Sequence, residues 1–281
     1  MKNLSKLFQL IPKFKGKTTV SNFILRLLNN KRDIIITIKN RLLIKIPNLI
    51  EPVGSHLFIN GEYEVDEIEF IKNEIRQKKL KTFLDIGANI GLFSLSVAKE
   101  FGELKIFSIE ASPRVYRYLI DNIELNSILN ITTLQLGLSN NDNQEINFYS
   151  DETKFGTGSF APVFTTKAEK VKCAKLDTLI LNTLIKEQID IIKIDVEGFE
   201  LQVFQGGKHL LEKENAPIIL FEFVDWAEKN AGNLTGSAQE YLISLEYQLY
   251  QLNNRKLVRI DAPLTNGSAS LIAMKNNPGK Y

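Results

Sequence analysis

The chain alternates between short apolar runs rich in Ile, Val and Phe and longer stretches whose apolar residues recur with helical spacing. The apolar runs predict strands at 82–87, 105–110, 131–138, 190–196 and 217–223. The stretches between them predict helices at about 91–101, 113–126, 177–188 and 199–213. Near-continuous apolar strands separated by helices are typical of a parallel sheet covered on both faces, so the pattern predicts an α/β fold.

The alternation changes at two places. Two later segments, 247–252 and 270–274, predict closing strands, and the turn-rich piece between them favours an antiparallel ending. Alternating runs predict a short β excursion within 141–176, and its glycine-bearing stretch 155–160 is interpreted as a flexible loop that covers a site. We therefore expect a helical or irregular N-terminal extension over residues 1–60 and an α/β domain with an insertion over residues 61–281.

Composition is that of an ordinary soluble globular protein, with 44% hydrophobic and 24% charged residues. The formal net charge is +2, yet residues 1–50 hold 11 Lys or Arg and a single acid, so a basic extension precedes an acidic body. Such an extension suits a membrane surface, a phosphorylated substrate or another subunit. A solvated face on capping helices is the interpretation we favour, and a homodimer or a peripheral membrane contact through residues 1–50 stays open.

Cysteine and histidine usage narrows the chemistry. The single Cys173 excludes an internal disulfide framework and fits a reducing compartment. His56 and His209 are the only histidines, so the sequence has no zinc-type spacing. No apolar stretch is long enough to span a bilayer, and no secretory signal is recognisable. We expect a cytoplasmic protein.

The segment 85–91, Asp-Ile-Gly-Ala-Asn-Ile-Gly, directly follows the first core strand. Gly87 and Gly91 allow the backbone to approach a ligand closely, and Asn89 tolerates unusual dihedral angles. The turn leads into a helix N-terminus, which suits a polar or anionic ligand group. The next strand ends at Glu110, where a carboxylate is placed to bind ribose hydroxyls.

Two cofactor classes use this order of strand, turn, helix, strand and acid. Dinucleotide enzymes need G-x-G-x-x-G, because its second glycine lets the backbone contact a pyrophosphate. Here Asn89 takes that position and Asp85 precedes the turn, which favours a ligand that carries an amino group. S-adenosylmethionine has an ammonium, a sulfonium and a ribose diol, so we expect Asp85 to anchor its methionine end and Glu110 its ribose.

Acids also follow two later strands. Asp195 follows the apolar run 189–194 and lies within the segment Lys193-Ile-Asp-Val-Glu-Gly-Phe-Glu200, and Glu222 lies in the next strand. Adjacent strands are about 4.8 Å apart, so the two carboxylates are placed to share a proton or a divalent metal ion. Without a cation, crowding raises one pKa and makes a usable general base. Helix capping is an equally good interpretation of Glu200.

Together these residues resemble the FkbM-type methyltransferases, a branch of the Rossmann-like S-adenosylmethionine-dependent enzymes. The resemblance covers about residues 60–225, and its matching segments are 61–64, 85–91, 110–113, Leu138-Ser139 with Asp142, 193–200 and Phe221-Glu222. It implies a class I methyltransferase fold: a mostly parallel seven-stranded sheet with helices on both faces and an antiparallel last strand.

The resemblance also implies roles for individual residues. Cofactor contacts fall to Asp85, Gly87, Ala88, Asn89, Gly91, Glu110 and Ala111, with Ser139 and Asp142 near the adenine. Asp195, Glu197 and Glu222 face the methyl group and the acceptor, which the family implies is a hydroxyl of a sugar, nucleotide sugar or glycan. A non-sugar secondary metabolite is the alternative acceptor. A divalent ion between Asp195 and Glu222 is a further hypothesis.

Other classes of protein fit less well. A nucleic-acid methyltransferase is disfavoured by the acidic body, by the lack of an Asn-Pro-Pro-aromatic motif and by Cys173, which no proline follows. A nicotinamide oxidoreductase requires a different glycine pattern. A non-catalytic binding protein is disfavoured by the intact acids at the strand ends. Trp226 is placed to stack on a sugar ring, and equally well to belong to the core.

Overall fold

The computed structural model describes residues 2–12, 17, 21, 25, 33–49, 51–151, 154–162, 165–181, 185 and 187–275. The strands within these residues are β1 Ile34–Thr37, β2 Leu43–Ile46, β3 Thr82–Ile86, β4 Lys105–Glu110, β5 Ile131–Gln135, β6 Gly137–Leu138, β7 Gln144–Asp151, β8 Lys154–Ser159, β9 Ala168–Ala174, β10 Ile191–Ile194, β11 Ile218–Val224, β12 Gln248–Asn253, β13 Lys256–Ile260 and β14 Ser268–Met274.

The helices are α1 Lys2–Leu10, α2 Pro52–Asn60, α3 Val65–Lys78, α4 Leu92–Ala98, α5 Pro113–Leu125, α6 Leu176–Leu181, α7 Glu200–Gly206, α8 Lys208–Glu212, α9 Asp225–Asn230 and α10 Ser237–Ser244. The helix expected over 177–188 ends earlier, at Leu181, and residues 187–190 are not helical. Within the described residues, none of the helices combines the length and the apolar character needed to cross a membrane.

The main sheet has the strand order β13-β12-β14-β11-β10-β3-β4-β5. The strands from β11 to β5 pair in parallel, whereas β14 runs antiparallel to both of its neighbours, β11 and β12. This arrangement confirms the expected Rossmann-like α/β fold with an antiparallel closing strand. Strand β13 adds an eighth, edge strand, which sequence analysis missed because its side chains are mostly exposed.

Apolar side chains on the two faces of the sheet form two separate cores. Successive residues of a strand point to opposite faces, so Phe83 and Leu84 of β3 belong to different cores. The core that contains Phe83 extends under α3 and α4, and the one that contains Leu84 extends under α7 and α10. Burial on both faces explains why these strands are apolar throughout.

The insertion forms a second sheet with the order β6-β9-β7-β8, next to the carboxyl end of β5. Phe148 and Phe160 pack edge to face within it, with ring centroids 5.1 Å apart. Phe160 also contacts Phe199 at the start of α7, with centroids 5.2 Å apart. The expected β excursion is therefore present, but the interpretation of 155–160 as a flexible loop is wrong, since β8 occupies most of that stretch.

A hairpin of β1 and β2, which sequence analysis did not predict, is joined to α5 through two asparagines. Asn126 accepts a hydrogen bond from the Leu43 amide (2.9 Å) and donates one to the Leu43 carbonyl (2.7 Å). Asn122 is fully buried, and it accepts from the Lys45 amide (2.6 Å) and donates to the carbonyl of Ile90 (2.9 Å). Asn122 thus connects the N-terminal hairpin to the turn that follows β3.

We expect Asn122→Ala to lower the free energy of unfolding by about 2–4 kcal/mol, because it leaves the part-buried amide of Lys45 and the buried carbonyl of Ile90 without this partner. Urea denaturation of the purified protein measures the change. Asn141→Ala, in an exposed loop, is the matched control and should change the free energy of unfolding by less than about 0.5 kcal/mol. Equal stabilities of the two variants would contradict this role for Asn122.

Candidate active site

A first cavity opens where the carboxyl ends of β3 and β4 face the insertion sheet. It contains about 690 Å³ of space not filled by protein, part of which is open to solvent. Its wall is formed by Ile86, Gly87, Asn89, Ile109, Glu110, Ala111, Ser112, Arg114, Val115, Leu136, Gly137, Leu138, Phe148, Ser150, Gly158, Phe160, Asp195, Val196 and Glu197.

A second cavity opens between the carboxyl ends of β10 and β11 and the helices α2 and α3, and it contains about 1110 Å³ of space not filled by protein, part of which is open to solvent. It is lined by Glu51, Pro52, Val53, Tyr63, Glu64, Ala88, Asn89, Ile90, Leu92, Phe93, Lys193, Asp195, Glu197, Glu222, Val224, Trp226 and Ser268. Asn89, Asp195 and Glu197 line both cavities. The two spaces therefore meet at the tips of β3 and β10.

Gly87 makes this meeting possible. Its φ is +71°, and a Cβ at this position would lie 1.8 Å from the carbonyl oxygen of Asp195. A larger residue would push the tips of β3 and β10 apart, so the close approach requires glycine. Asn89 follows in the left-handed region, with φ +52°, and its side chain accepts a hydrogen bond from the Ile90 amide at 2.8 Å.

Glu110 presents a carboxylate to the first cavity. One oxygen accepts a hydrogen bond from the Asn89 amide and the other from the Ser112 amide, each at 2.9 Å. Burial raises the pKa of Glu110 to about 7, although these two amides oppose the shift. A carboxylate has about four lone-pair sites, so the two amides leave acceptor capacity on both oxygens for a pair of hydroxyl donors.

Asp85 lies behind the cavities and lines neither of them. It is fully buried, and its Oδ2 accepts hydrogen bonds from the hydroxyl (2.5 Å) and the amide (3.2 Å) of Ser94 in α4. Burial raises the pKa of Asp85, while Lys193 and Ser94 oppose that rise. Gly91 likewise lines neither cavity and begins α4, packed against Leu119. Both residues therefore support the turn without lining either cavity.

Lys193 is a site residue to which sequence analysis gave no role. Its ammonium donates to the Gly87 carbonyl (3.0 Å) and to Asp195 (3.3 Å), and it lies 3.8 Å from Asp85. It also lies 5.0 Å from the ring centroid of Phe93. Burial alone would lower the pKa of Lys193, but Asp195, Asp85 and other carboxylates outweigh burial and raise it. Parallel pairing of β3 with β10 places Lys193 opposite Asp85. A lysine in an otherwise apolar strand, next to a strand with a buried acid, is the sequence feature that could have identified this residue.

Carboxyl groups crowd the second cavity. Burial and the neighbouring Asp195 raise the pKa of Glu222 to about 7 and that of Glu64 to about 8. Burial, with Asp195 and Glu222, raises the pKa of Glu197 to about 9. Sequence analysis expected Asp195, Glu197 and Glu222 at one place, and the structure brings them together. Glu64 was missed as a site residue, although it ends the matched segment 61–64.

Ser139 and Asp142 line neither cavity. Asp142 accepts hydrogen bonds from the Lys175 amide (2.9 Å) and the Thr178 hydroxyl (2.8 Å), which lower its pKa and place it at the start of α6. Leu138, Phe148 and Phe160 belong to the apolar part of the first cavity wall instead. The two phenylalanines come from the insertion, and no motif in the sequence marked them.

Two further residues have clear positions. Glu200 is buried, and it accepts hydrogen bonds from the amides of Val196 (3.1 Å) and Gly198 (3.4 Å), as the capping interpretation expects. Trp226 is 45% exposed and lines the second cavity together with Tyr63. An aromatic side chain is thus available at the mouth of that cavity.

The residues fit a metal ion poorly. Within the described part of the chain, no group of three or more His, Cys, Asp or Glu side chains is arranged to hold one. Asp195 and Glu222 supply two carboxylates, whereas divalent ions such as Mg²⁺ and Ca²⁺ take about six or more oxygen ligands. The Lys193 ammonium already provides a positive charge 3.3 Å from Asp195. We derive no step through a metal.

Fold and cavities together define an α/β protein with two adjoining cavities at the carboxyl edge of its sheet. The sequence profile of the methyltransferase FkbM domain matches residues 85–252, so the chain belongs to that family. Methyltransferase sdnD of Sordaria araneosa is 30% identical over 153 residues, which cover 44% of this chain and 59% of that protein. The match thus spans about three fifths of that relative's length.

Two more comparisons are less close. Methyltransferase 1 of Beauveria bassiana (strain ARSEF 2860) is 26% identical over 168 residues, which cover 50% of this chain and 67% of that protein. The solved structure of precorrin-6y C5,15-methyltransferase from Geobacter metallireducens GS-15 gives a TM-score of 0.43 at 14% identity, over 76% of this chain and 88% of that one. This structural similarity is too low to carry an argument.

The crowded acids predict how stability depends on pH. In the unfolded chain Glu197 ionises near its ordinary value of 4.5, whereas its pKa in the fold is about 9. Between these values the folded chain keeps a proton that the unfolded chain has lost, so the free energy of unfolding falls as the pH rises. We expect Glu197→Gln to stabilise the ligand-free protein at pH 8 by on the order of 1–3 kcal/mol, with little change at pH 5.

Urea denaturation at the two pH values measures this effect. Glu214→Gln, on the exposed surface, is the matched control and should change stability little at either pH. A Glu197→Gln variant that is less stable than the wild type at pH 8 would show that Glu197 is not held among repelling carboxylates.

Proposed function

We propose that this protein is an S-adenosylmethionine-dependent O-methyltransferase that acts on a hydroxyl of a sugar or glycan. In this proposal the first cavity holds the donor and the second holds the acceptor. The observation that carries it is the wall shared by the two cavities, which consists of Asn89, Asp195 and Glu197. A methyl group at that wall lies within reach of both ligands. Membership in the FkbM family supports the choice of reaction.

The first cavity has the parts that a nucleoside needs. Both oxygens of Glu110 retain acceptor capacity for ribose hydroxyls after binding the amides of Asn89 and Ser112. Leu138, Phe148 and Phe160 offer an apolar and aromatic wall for the adenine. Asp85 contributes indirectly in this proposal, because it fixes the start of α4 and faces Lys193. We assign no donor contact to Asp142 or Ser139.

When bound, the donor supplies a methyl group on a positively charged sulfur. Asp195 and Glu197 lie at the shared wall, and the positive charge of that sulfur favours the ionised form of carboxyl groups beside it. Holding two reactants at attack distance accounts for much of the rate in such transfers. Glu222 accepts the proton that the acceptor hydroxyl loses as the hydroxyl oxygen bonds to the methyl carbon and the bond between that carbon and the sulfur breaks, which leaves S-adenosylhomocysteine. Its pKa of about 7 suits a general base near neutral pH.

The second cavity favours a polyhydroxylated acceptor over an apolar one. Its carboxylates accept hydrogen bonds from hydroxyl groups, and Tyr63 and Trp226 offer faces on which a sugar ring can stack. A non-sugar secondary metabolite with several hydroxyls satisfies the same groups and remains the alternative.

Donor binding is tested with S-adenosylhomocysteine, the demethylated product, by isothermal titration calorimetry. We expect the wild type to bind it and Glu110→Gln to bind it about 10–100-fold more weakly, because a hydrogen bond to a charged group contributes about 1.5–3 kcal/mol. The amide nitrogen of Gln would also face a backbone amide that needs an acceptor.

Asp142→Asn is the matched control for this measurement. It should keep the wild-type affinity, since Asp142 lies at the start of α6 and not in the cavity. Absence of S-adenosylhomocysteine binding to the wild type would refute the proposed function.

Base catalysis is tested by the initial rate of S-adenosylhomocysteine release with the best acceptor from a panel of sugars and glycans. We expect Glu222→Gln to lower kcat by about 10²–10⁴-fold, as removal of a general base does, while the affinity for S-adenosylhomocysteine is kept. The wild-type rate should rise with pH through the neutral range, because the base must be ionised.

Glu103→Gln, on the surface away from both cavities, should leave kcat unchanged. Excess EDTA should also leave the wild-type rate unchanged. Loss of activity in EDTA, restored by a divalent ion, would show that a metal bridges Asp195 and Glu222 after all.

A further inference from the structure

The charges that line the second cavity do not balance. Among the described residues in its wall, five carry carboxyl groups and Lys193 alone carries a cation. The carboxyls are those of Glu51, Glu64, Asp195, Glu197 and Glu222. Glu51 is partly engaged, since it accepts a hydrogen bond from the Gly54 amide at 2.5 Å and begins α2. The excess of carboxyl groups over cations therefore concerns the other four acids.

Lys193 does not compensate for all of these charges. Its ammonium lies 3.3 Å from Asp195 and 3.8 Å from Asp85, so two carboxylates already oppose its single charge. Within the described residues, no ion pair is formed by Glu64, Glu197 or Glu222. These three acids face a common space in which Lys193, already opposed by Asp85 and Asp195, is the single cation among the described lining residues.

We propose that the acceptor brings a positive charge in addition to those of Lys193 and the donor sulfur: it is a sugar or polyol that carries an amino group. Its ammonium lies among Glu64, Glu197 and Glu222, and its ring lies against Tyr63 or Trp226. This inference rests on the proposed function, since it assigns the second cavity to the acceptor. It narrows the substrate class from sugars in general to amine-bearing ones.

Charge chemistry supports this choice over a neutral or an anionic acceptor. Buried carboxylates that repel each other keep their protons, and an opposite charge within about 4–6 Å restores the ionised form. A neutral sugar leaves these acids partly protonated, whereas an ammonium favours their ionised form and is attracted to it. The ammonium thereby also favours the ionised form of the general base Glu222. The faces of Tyr63 and Trp226 attract cations as well.

A phosphorylated acceptor would be repelled by the carboxylates of this wall. Sites for phosphate present Arg or Lys forks or backbone amides, and this wall presents carboxylates. A nucleotide sugar fits the cavity only if its diphosphate stays outside the mouth.

The test uses the full chain saturated with S-adenosylhomocysteine, titrated by calorimetry at pH 7.5 with matched probes. The pairs are D-glucosamine with D-glucose, and kanamycin A with its fully N-acetylated form. In at least one pair we expect the amine to bind tenfold or more tightly than its neutral partner, and D-glucose 6-phosphate to bind most weakly. Glu64→Gln should reduce the preference for the amine at least threefold, and the surface control Glu103→Gln should retain it.

Each outcome separates this inference from the proposed function. If S-adenosylhomocysteine binds and neither amine exceeds its neutral partner, including the case in which no probe binds, the amine inference is overturned and the methyltransferase proposal stands. A preference that Glu64→Gln leaves intact also overturns the inference, because the ammonium then lies elsewhere. If S-adenosylhomocysteine itself does not bind, both fall together.

Discussion

The buried ammonium of Lys193, between the carboxylates of Asp85 and Asp195, is the interaction on which the rest of the site depends. It joins β3 to β10 across the middle of the sheet, and it donates to the carbonyl of Gly87 in the turn that both cavities share. A buried charge without its partner costs about 3–5 kcal/mol. Among the described residues, Lys193 is the cation beside Asp85. Replacement of one of these three side chains therefore leaves the charge of another without its partner.

This charge arrangement also divides the site into two parts. The first cavity combines an apolar and aromatic wall, which includes Leu138, Phe148 and Phe160, with the carboxyl group of Glu110, and this combination suits the base and ribose of a nucleoside. The second is crowded with carboxyls whose pKa values are raised, which suits a ligand rich in hydrogen-bond donors. Raised values in a cleft are common at functional sites, because the same burial that disfavours charge makes a carboxylate a stronger base. Asp195, at the shared wall, belongs to both parts.

The sequence predicted those parts of the fold and site that depend on local pattern and on the rule that ligands bind at the carboxyl ends of parallel strands. Apolar runs located the core strands, and the acids after them converge as expected at Glu110, Asp195 and Glu222. Contacts between distant segments could not be predicted in the same way. Asp85 and Asp142 carry the residue types of ligand-binding groups, but the structure places them against Ser94 and Lys175. Phe148 and Phe160 reach the site through the packing of an inserted sheet, which has no short sequence signature.

The contacts of the N-terminal region with the rest of the chain also join distant segments, and they bear on the geometry of the site. Its basic composition favoured a solvated face on capping helices and left a partner surface open, whereas its described hairpin is joined to α5 by asparagines that hydrogen-bond to the backbone of β2. The side-chain amide of Asn122 binds both the backbone amide of Lys45 in the hairpin and the carbonyl of Ile90, which lies in the turn between the two cavities. A turn that includes Asn89 in the left-handed region keeps that conformation only when its surroundings fix it. The hairpin is thus part of the support of the site, and a partner that binds the hairpin would act on the same turn.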